Sequence, residues 1–165
     1  MRALRRRLML AACALPVLLA GCGFQLQGRA NLSPVLARVH LQADDAQSDF
    51  TAALRRSLRL AGADIVAAPT PGVPTLRVEL DDWSERIASV SARNVPREYE
   101  LTYRVRFAVT QDGQERIASE EVSLTRDLSF DERRALAKER EREALRATLA
   151  GELAAVVVQR VSSLR

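Results

Sequence analysis

The four residues Leu19-Ala20-Gly21-Cys22 determine which part of the chain folds and what its first residue carries. Before them lie arginines at positions 2, 5, 6 and 7 and an apolar run, Leu8 to Leu19, that is too short for a permanent membrane span. The small pair Ala20-Gly21 suits a signal peptidase, and the thiol that follows can carry a thioether-linked lipid. The pattern matches a bacterial lipobox and predicts cleavage before Cys22.

This cleavage divides the chain into a signal peptide, 1–21, a lipidated linker, 22–34, and one folded domain, 35–165. An ordinary signal peptide with an incidental cysteine and an uncleaved anchor are the alternatives. Two or more acyl chains, each buried methylene contributing about 0.8 kcal/mol, make an anchor effectively permanent. Gly23 is not the aspartate that resembles an inner-membrane retention signal. We therefore expect an outer-membrane protein that faces the periplasm and is anchored at Cys22.

The excess of basic residues belongs to the signal peptide. The whole chain has 25 Lys and Arg against 21 Asp and Glu, and the arginines of the signal peptide account for the difference. The mature chain is balanced in charge, so net charge gives no support for a nucleic-acid partner. Cys22 is the one cysteine left after cleavage. It can form neither an internal disulfide nor a cysteine metal cluster.

Apolar and polar residues alternate through the middle of the chain, which is typical of strands with one buried face. Val35–Gln42 predicts a first strand, and a second begins at Thr75 after a proline-rich loop. A third begins at Glu98 and carries apolar residues at every odd position from 99 to 109. Asp112-Gly113 predicts a tight turn, and Ile117–Leu128 returns in phase. The last three strands should form an antiparallel meander.

Two segments have helical periodicity. Asp49 can cap a helix that ends at Gly62 and carries Phe50, Leu54, Leu58 and Ala61 on one face. Ser129 and Glu132 form a capping box before a long helix to about Ser163, whose later half has the apolar stripe. The order β-α-β-β-β-α predicts an α+β fold, with a single mixed four-stranded sheet, both helices on one face and the other face polar.

The sequence contains no recognisable catalytic constellation. His40, the one histidine, is expected to be a partly exposed strand residue, because no second His, nucleophilic Cys or Gly-x-Ser-x-Gly motif accompanies it. Asp81 and Asp82 are adjacent on a strand and should point to opposite faces, which makes them a poor acid–base pair. We expect no enzymatic activity, no catalytic or metal-binding residues and no cofactor.

Three segments resemble the LptE family of lipopolysaccharide-assembly lipoproteins. Residues 23–26, Gly-Phe-Gln-Leu, are similar to the Gly-aromatic-x-Leu opening that follows the lipidated cysteine in that family. Family members commonly carry Arg where this chain has Gln27. The interior resemblances are Arg93-Asn94 followed by Glu98-Tyr99, and Ala-Leu-Ala-Lys at 135–138. Together with the element order, the resemblance covers essentially the whole mature chain.

The resemblance implies a lipoprotein that plugs an LptD-like outer-membrane barrel as a heterodimer, supports its assembly and contacts lipopolysaccharide on its way to the surface. It also implies that Arg93 and Lys138 bind lipopolysaccharide, and Arg97 lies in the same predicted loop as Arg93 and could substitute for it. Lys138 is the one lysine of the chain. A guanidinium or an ammonium group suits the phosphates of lipid A. A generic lipoprotein adaptor of another envelope complex is the main alternative, and a periplasmic enzyme is less favoured.

Overall fold

The computed structural model describes residues 33–129 and 135–164, with side chains of the last segment described from residue 137 onwards. The signal peptide, Cys22, the opening motif and the Glu132 half of the capping box lie outside these residues. The elements are a 3-10 turn Pro34–Leu36, β1 Arg38–Ala43, α1 Asp49–Leu60, β2 Asp64–Val66, β3 Thr75–Val90, β4 Pro96–Gln111, β5 Gln114–Ser129 and α2 Ala135–Ser162.

The strands form one mixed sheet in the order β2-β1-β3-β4-β5. β1 runs parallel to β2 and β3, and β3, β4 and β5 form the predicted antiparallel meander. The α+β fold with two helices is confirmed, but the sheet has five strands instead of four. The additional strand is β2, whose three residues are too few to show an alternating pattern.

β2 also changes the surroundings of His40. The two parallel strands align His40 with Val66, and the imidazole Nδ1–H donates to the Val66 carbonyl oxygen at 3.2 Å. His40 is only 9% exposed, so the expected partial exposure is wrong. The first strand also starts later than predicted, at Arg38, because Ser33 and Pro34 begin a 3-10 turn.

The two long hairpins differ in their connections. Asp112 and Gly113 have φ angles of 51° and 77°, which makes the predicted tight turn between β4 and β5 possible. The connection between β3 and β4 is shorter than expected, since Pro96 and Arg97 already belong to β4. It is closed by a hydrogen bond from the Ser91 amide to the Val95 carbonyl, 2.8 Å.

Both helices pack on the same face of the sheet. α1 begins one residue earlier than predicted, because the Ser48 hydroxyl oxygen accepts from the Thr51 amide at 3.0 Å and Ser48 is the N-cap. The buried side chains of α1 include Phe50, Leu54 and Leu58. The second helix contributes a buried stripe of Leu149, Leu153, Val157 and Val161. The sheet contributes odd-numbered residues of β4, namely Tyr103, Val105, Phe107 and Val109. The predicted helix and strand faces are therefore confirmed.

The packing gives the molecule two distinct ends. What we call the hairpin end comprises loop 91–95, the last residues of β5 and the start of α2. The turn end comprises the Asp112-Gly113 turn, the start of β1 and the last residues of both helices. Two ion pairs show the direction in which α2 runs. Arg142, in the first half of the helix, contacts Glu85 of β3, and Arg160, near the end of the helix, contacts Glu120 of β5, which lies nearer the turn end.

Candidate anion-binding site

Two arginines extend from the hairpin end. Arg93 lies in the loop between β3 and β4, and Arg97 is the second residue of β4. Both side chains are exposed, and neither guanidinium forms an ion pair with any residue in 33–129 or 137–164. Because strand side chains alternate, Arg97 shares the helix-bearing face of β4 with Tyr99. Two cations are thus available to an external anion at this end.

Lys138 has a different environment. It is the fourth residue of α2, and its side chain is 16% exposed. Its Nζ atom lies 2.7 Å from Glu141 Oε2, within the same helical turn. The neighbouring acid Glu139 pairs with Arg142 instead. An anion that binds Lys138 must therefore share the ammonium group with Glu141.

Arg142 holds the polar first half of α2 against the sheet. Its Nε atom lies 3.0 Å from Glu85 Oε2, and its guanidinium carbon lies 5.6 Å from the centre of the Tyr99 ring. The buried Nε has no hydrogen-bond partner among the described residues, so its contact with Glu85 is electrostatic. A cation over an aromatic face is an attractive arrangement. Lys138 lies about one helical turn from Arg142, towards the hairpin end.

The structure therefore brings Arg93, Arg97 and Lys138 to the same end of the molecule. The two arginines have no ionic partner among the described residues, whereas Lys138 is paired. Guanidinium groups can form bidentate, charge-assisted hydrogen bonds with phosphate, and an ammonium group adds a point charge. Arg142 was missed by sequence reasoning. No spacing in the chain connects it with Glu85 or Tyr99.

The sheet face opposite the helices is covered by cross-strand polar pairs. Arg86 donates two hydrogen bonds of 2.7 Å to Glu100, and this partner raises the pKa of Arg86. The hydrogen bond from Arg104 to Asp82, also 2.7 Å, raises the pKa of Arg104. Further pairs are Arg106–Glu121, Thr102–Thr125 and Ser119–Glu79. Exposed ion pairs contribute only about 0–1 kcal/mol each to the free energy of unfolding. The main effect of these pairs is therefore the polar surface that they give this face of the sheet.

A second polar cluster lies on the helix side of the sheet. Asp81 accepts hydrogen bonds from the Ser48 hydroxyl at 2.5 Å and the Tyr103 hydroxyl at 2.7 Å. Burial, followed by the hydrogen bond to Asp81, raises the pKa of Tyr103. Trp83 packs edge-on against Tyr103, with ring centres 5.7 Å apart. Asp81 points inwards and Asp82 outwards, which confirms the prediction that these two carboxylates lie on opposite faces of the sheet.

Residues 33–129 and 135–164 contain neither a membrane-spanning helix nor a candidate metal-ion cluster. No helix there has both the length and the apolar character needed to cross a membrane. In the same residues, no three His, Cys, Asp or Glu side chains are grouped so that they could hold a metal ion.

Comparison with known proteins identifies related sequences and structures. The family model for LptE, lipopolysaccharide-assembly, matches residues 36–161. The LPS-assembly lipoprotein LptE of Yersinia enterocolitica is 31% identical over 160 residues, which are 96% of this chain and 77% of that protein.

Two solved structures have similar folds. The crystal structure of the rare lipoprotein B from Shewanella oneidensis has a TM-score of 0.68 at 31% identity, with 76% of this chain and 94% of that chain covered. The solution NMR structure of an uncharacterized lipoprotein B from Nitrosomonas europaea has a TM-score of 0.70 at 27% identity, with coverages of 86% and 91%.

Proposed function

Because the chain belongs to the LptE family of non-enzymatic lipopolysaccharide-assembly lipoproteins, we propose that it is a lipid-anchored component of the outer-membrane lipopolysaccharide translocon. In this role it is attached at Cys22 to the periplasmic side of the outer membrane. It plugs an LptD-like barrel as a heterodimer and supports the assembly of that barrel. It also contacts lipopolysaccharide during its delivery to the cell surface.

The observation that carries the ligand proposal is the common location of Arg93, Arg97 and Lys138 at the hairpin end. Lipid A presents phosphate groups, with which guanidinium groups form bidentate, charge-assisted hydrogen bonds and to which an ammonium group adds a point charge. Arg93 and Arg97 are exposed and, within the described residues, form no ion pair. α2 brings Lys138 to the same end of the molecule, and a phosphate that binds it must share its ammonium group with Glu141.

The polar outer face of the sheet supports the barrel proposal. The lumen of an outer-membrane barrel is polar, so a plug needs hydrophilic surfaces with satisfied hydrogen bonds. Pairs such as Arg86–Glu100 and Arg104–Asp82 give this face both properties. A partner with an apolar surface would have to bury these charges, which is costly.

Co-purification from outer membranes tests the barrel proposal. The intact, lipidated protein is extracted in mild detergent with an affinity tag at its C-terminus, and the associated proteins are identified by mass spectrometry. We expect one outer-membrane barrel protein at a 1:1 ratio. A different envelope protein in stoichiometric amount would support the adaptor alternative, and recovery of the protein alone would contradict a heterodimer.

A further inference from the structure

An exposed apolar strip lies on β3, close to the hairpin end. It consists of Ile87 and Val90, which are 51% and 50% exposed. Apart from Leu60 on α1, they are the exposed large hydrophobic residues among those that the structure describes. A single exposed aliphatic side chain is ordinary on a protein surface, but here two lie within one short stretch of strand.

Both side chains of the apolar strip lie on the helix-bearing face of the sheet. Ile87 is aligned with Tyr99 of β4, whose ring contacts α2 from that face. The Ser89 hydroxyl donates to Glu98 Oε2 at 2.8 Å on the opposite face. Since neighbouring strand residues alternate, Val90 turns to the same face as Ile87. The strip is therefore separate from the polar face that supports the barrel proposal.

The elements beside β3 end before they reach the strip. β1 is aligned with β3 only from Thr75 to Val78. α1 begins near Asp81, to which its N-cap Ser48 is hydrogen-bonded. Ile87 lies six residues further along β3, which is about 20 Å in an extended strand. Neither β1 nor α1 therefore covers the strip.

A position at the edge of the sheet does not by itself account for this exposure. Tyr99 is aligned with Ile87 on β3 and with Leu128 on β5, so the three residues form one cross-strand row. Leu128, which also lies on an edge strand, is 1% exposed, whereas Ile87 is 51% exposed. The domain thus buries the apolar side chain on one side of Tyr99 and leaves the one on the other side open to solvent.

The apolar strip adjoins the candidate anion-binding site. Val90 is the last residue of β3, and Arg93 follows three residues later in the connecting loop. Arg97 precedes Tyr99, the partner of Ile87, by two residues, which is about 7 Å along a strand. Aliphatic side chains beside two guanidinium groups are complementary to a ligand that carries hydrocarbon close to its phosphates. A ligand with phosphate alone would leave the strip exposed to water.

We propose that the apolar strip binds acyl chains of the lipopolysaccharide whose phosphates contact Arg93 and Arg97. In lipid A the phosphates and the acyl chains are attached to the same disaccharide, so one compact site contacts both. Contact with the acyl chains removes apolar surface of Ile87 and Val90 from water, which favours binding. The inference rests on the proposed contact with lipopolysaccharide. It makes the hairpin end a site for the amphipathic lipid A portion and not for phosphate in general.

Two ligands measured side by side test the acyl contact. One is lipid A, and the other is its deacylated disaccharide, which keeps the phosphates. The full-length lipidated protein is purified at one fixed detergent concentration, and both affinities are measured for the wild type and for Ile87→Ser with Val90→Ser. The matched control is Leu60→Ser, which removes an aliphatic side chain that is 79% exposed on α1.

We expect the double variant to bind lipid A at least about fivefold more weakly than the wild type, because two aliphatic contacts are lost. Its affinity for the deacylated disaccharide should stay within about twofold, since the phosphate contacts of Arg93 and Arg97 remain. That retained affinity also shows that the hairpin end of the variant is folded. Leu60→Ser should bind both ligands as the wild type does.

The other outcomes separate the acyl contact from the anion-binding site. Unchanged lipid A affinity in the double variant would overturn the acyl contact and leave the anion-binding site intact. An equal loss for both ligands would also overturn it, because the strip would then support the loop and not the acyl chains. A wild type that binds neither ligand would overturn the proposed lipopolysaccharide contact together with the strip. Competition by phosphatidylglycerol as strong as that by lipid A would overturn the assignment to lipid A.

Photo-crosslinking in cells tests the same contact in the assembled outer membrane. Benzoylphenylalanine at position 87 should form an adduct with lipopolysaccharide, and after hydrolysis the crosslinked peptide should retain a fatty acid that mass spectrometry detects. The same probe at position 60 should give no such adduct. A retained sugar without a fatty acid would overturn the acyl contact. Crosslinking of position 87 to the barrel protein alone would assign the strip to the protein interface.

Discussion

One carboxylate, that of Asp81, joins two strands to the N-cap of a helix. It accepts from Tyr103 on β4 and from Ser48, whose hydroxyl oxygen in turn caps α1. Its neighbour Asp82 forms only an exposed pair with Arg104. Asp81 therefore determines where α1 begins relative to the sheet, whereas Asp82 does not.

This difference gives a matched pair of stability predictions. Asp81→Ala leaves two hydroxyl groups without their acceptor, and we expect a loss of about 2 to 3 kcal/mol in the free energy of unfolding. Asp82→Ala removes an exposed ion pair and should cost less than about 1 kcal/mol. Urea denaturation of both variants measures the difference. Equal losses would show that the Asp81 network is not a specific source of stability.

Tyr103 makes stability sensitive to alkaline pH. Burial and the bond to Asp81 raise its pKa, so the folded state holds the phenol proton more tightly than the unfolded state does. Its contribution is complete below the unfolded pKa of about 10 and is lost as the pH rises above that value. The free energy of unfolding should therefore fall more steeply above pH 10 in the wild type than in Tyr103→Phe, by up to about 1.4 kcal/mol per pH unit. Parallel curves for the two proteins would contradict this assignment.

Lipidation at Cys22 is also a residue-scale prediction. Cys22→Ser should block lipid attachment and leave an unprocessed or mislocalised product, because a serine hydroxyl does not replace the thiol as lipid acceptor. Mass spectrometry of the membrane fraction measures both processing and modification. A wild-type protein that begins, unmodified, at Gly23 or beyond would contradict the anchor.

The two halves of α2 have different functions in the fold. The second half packs on the sheet through residues such as Leu149 and Leu153, which are essentially inaccessible to solvent. The first half is attached by charge, through the contacts of Arg142 with Glu85 and Tyr99. The contribution of α2 to the free energy of unfolding should therefore come mostly from its second half.

Leucine truncations test the importance of this packing. Leu153→Ala removes a side chain that is 1% exposed and should reduce the free energy of unfolding by about 2 to 5 kcal/mol. Leu60→Ala makes the same chemical change at a position that is 79% exposed and should stay within about 0.5 kcal/mol of the wild type. Chemical denaturation of the two variants measures both values. A large effect at Leu60 would mean that it packs within the isolated protein.

The sequence predicted the long elements because their periodicity extends over many residues. The odd-numbered residues of β4 and the apolar stripe of α2 were recognisable for this reason. β2 has three residues and no detectable period, so both it and the burial of His40 were missed. The β3–β4 loop was predicted too long, because Pro96 reads as a loop residue although it begins a strand.

At the scale of the whole molecule, the two ends carry different chemistry. Arg93, Arg97 and Lys138 lie at the hairpin end, whereas the described chain begins at the turn end. The start of the described chain and the candidate anion-binding site are thus separated by the length of the long strands, about 50 Å. This separation suits the proposed role, in which the protein is anchored at one end and contacts a ligand at the other.

The candidate site could be predicted only in part. Arg93 and Lys138 were selected from local motifs that resemble a family, and the sequence did not indicate that they share one end of the molecule. Their common location depends on tertiary contacts, in particular those of Arg142 with β3 and β4. The pairing of Lys138 with Glu141 agrees with the ordinary i,i+3 proximity of helical side chains.

Lipopolysaccharide binding by two charge-reversed proteins tests the central claim most directly. One carries Arg93→Asp with Lys138→Asp, and the control carries the same charge change as Arg56→Asp with Arg59→Asp at the opposite end. Affinity is measured for the purified proteins without phospholipid over a range of salt concentrations. The thermal midpoint and the association with the barrel partner are measured alongside and should be nearly unchanged in both.

We predict that the hairpin-end variant loses about tenfold or more in affinity at low salt, and that its difference from the wild type narrows as salt rises. The control should stay within about twofold of the wild type. Unchanged binding by the hairpin-end variant, or an equal loss in both variants, would contradict the site. Loss of barrel association by the hairpin-end variant alone would instead assign Arg93 and Lys138 to the protein interface.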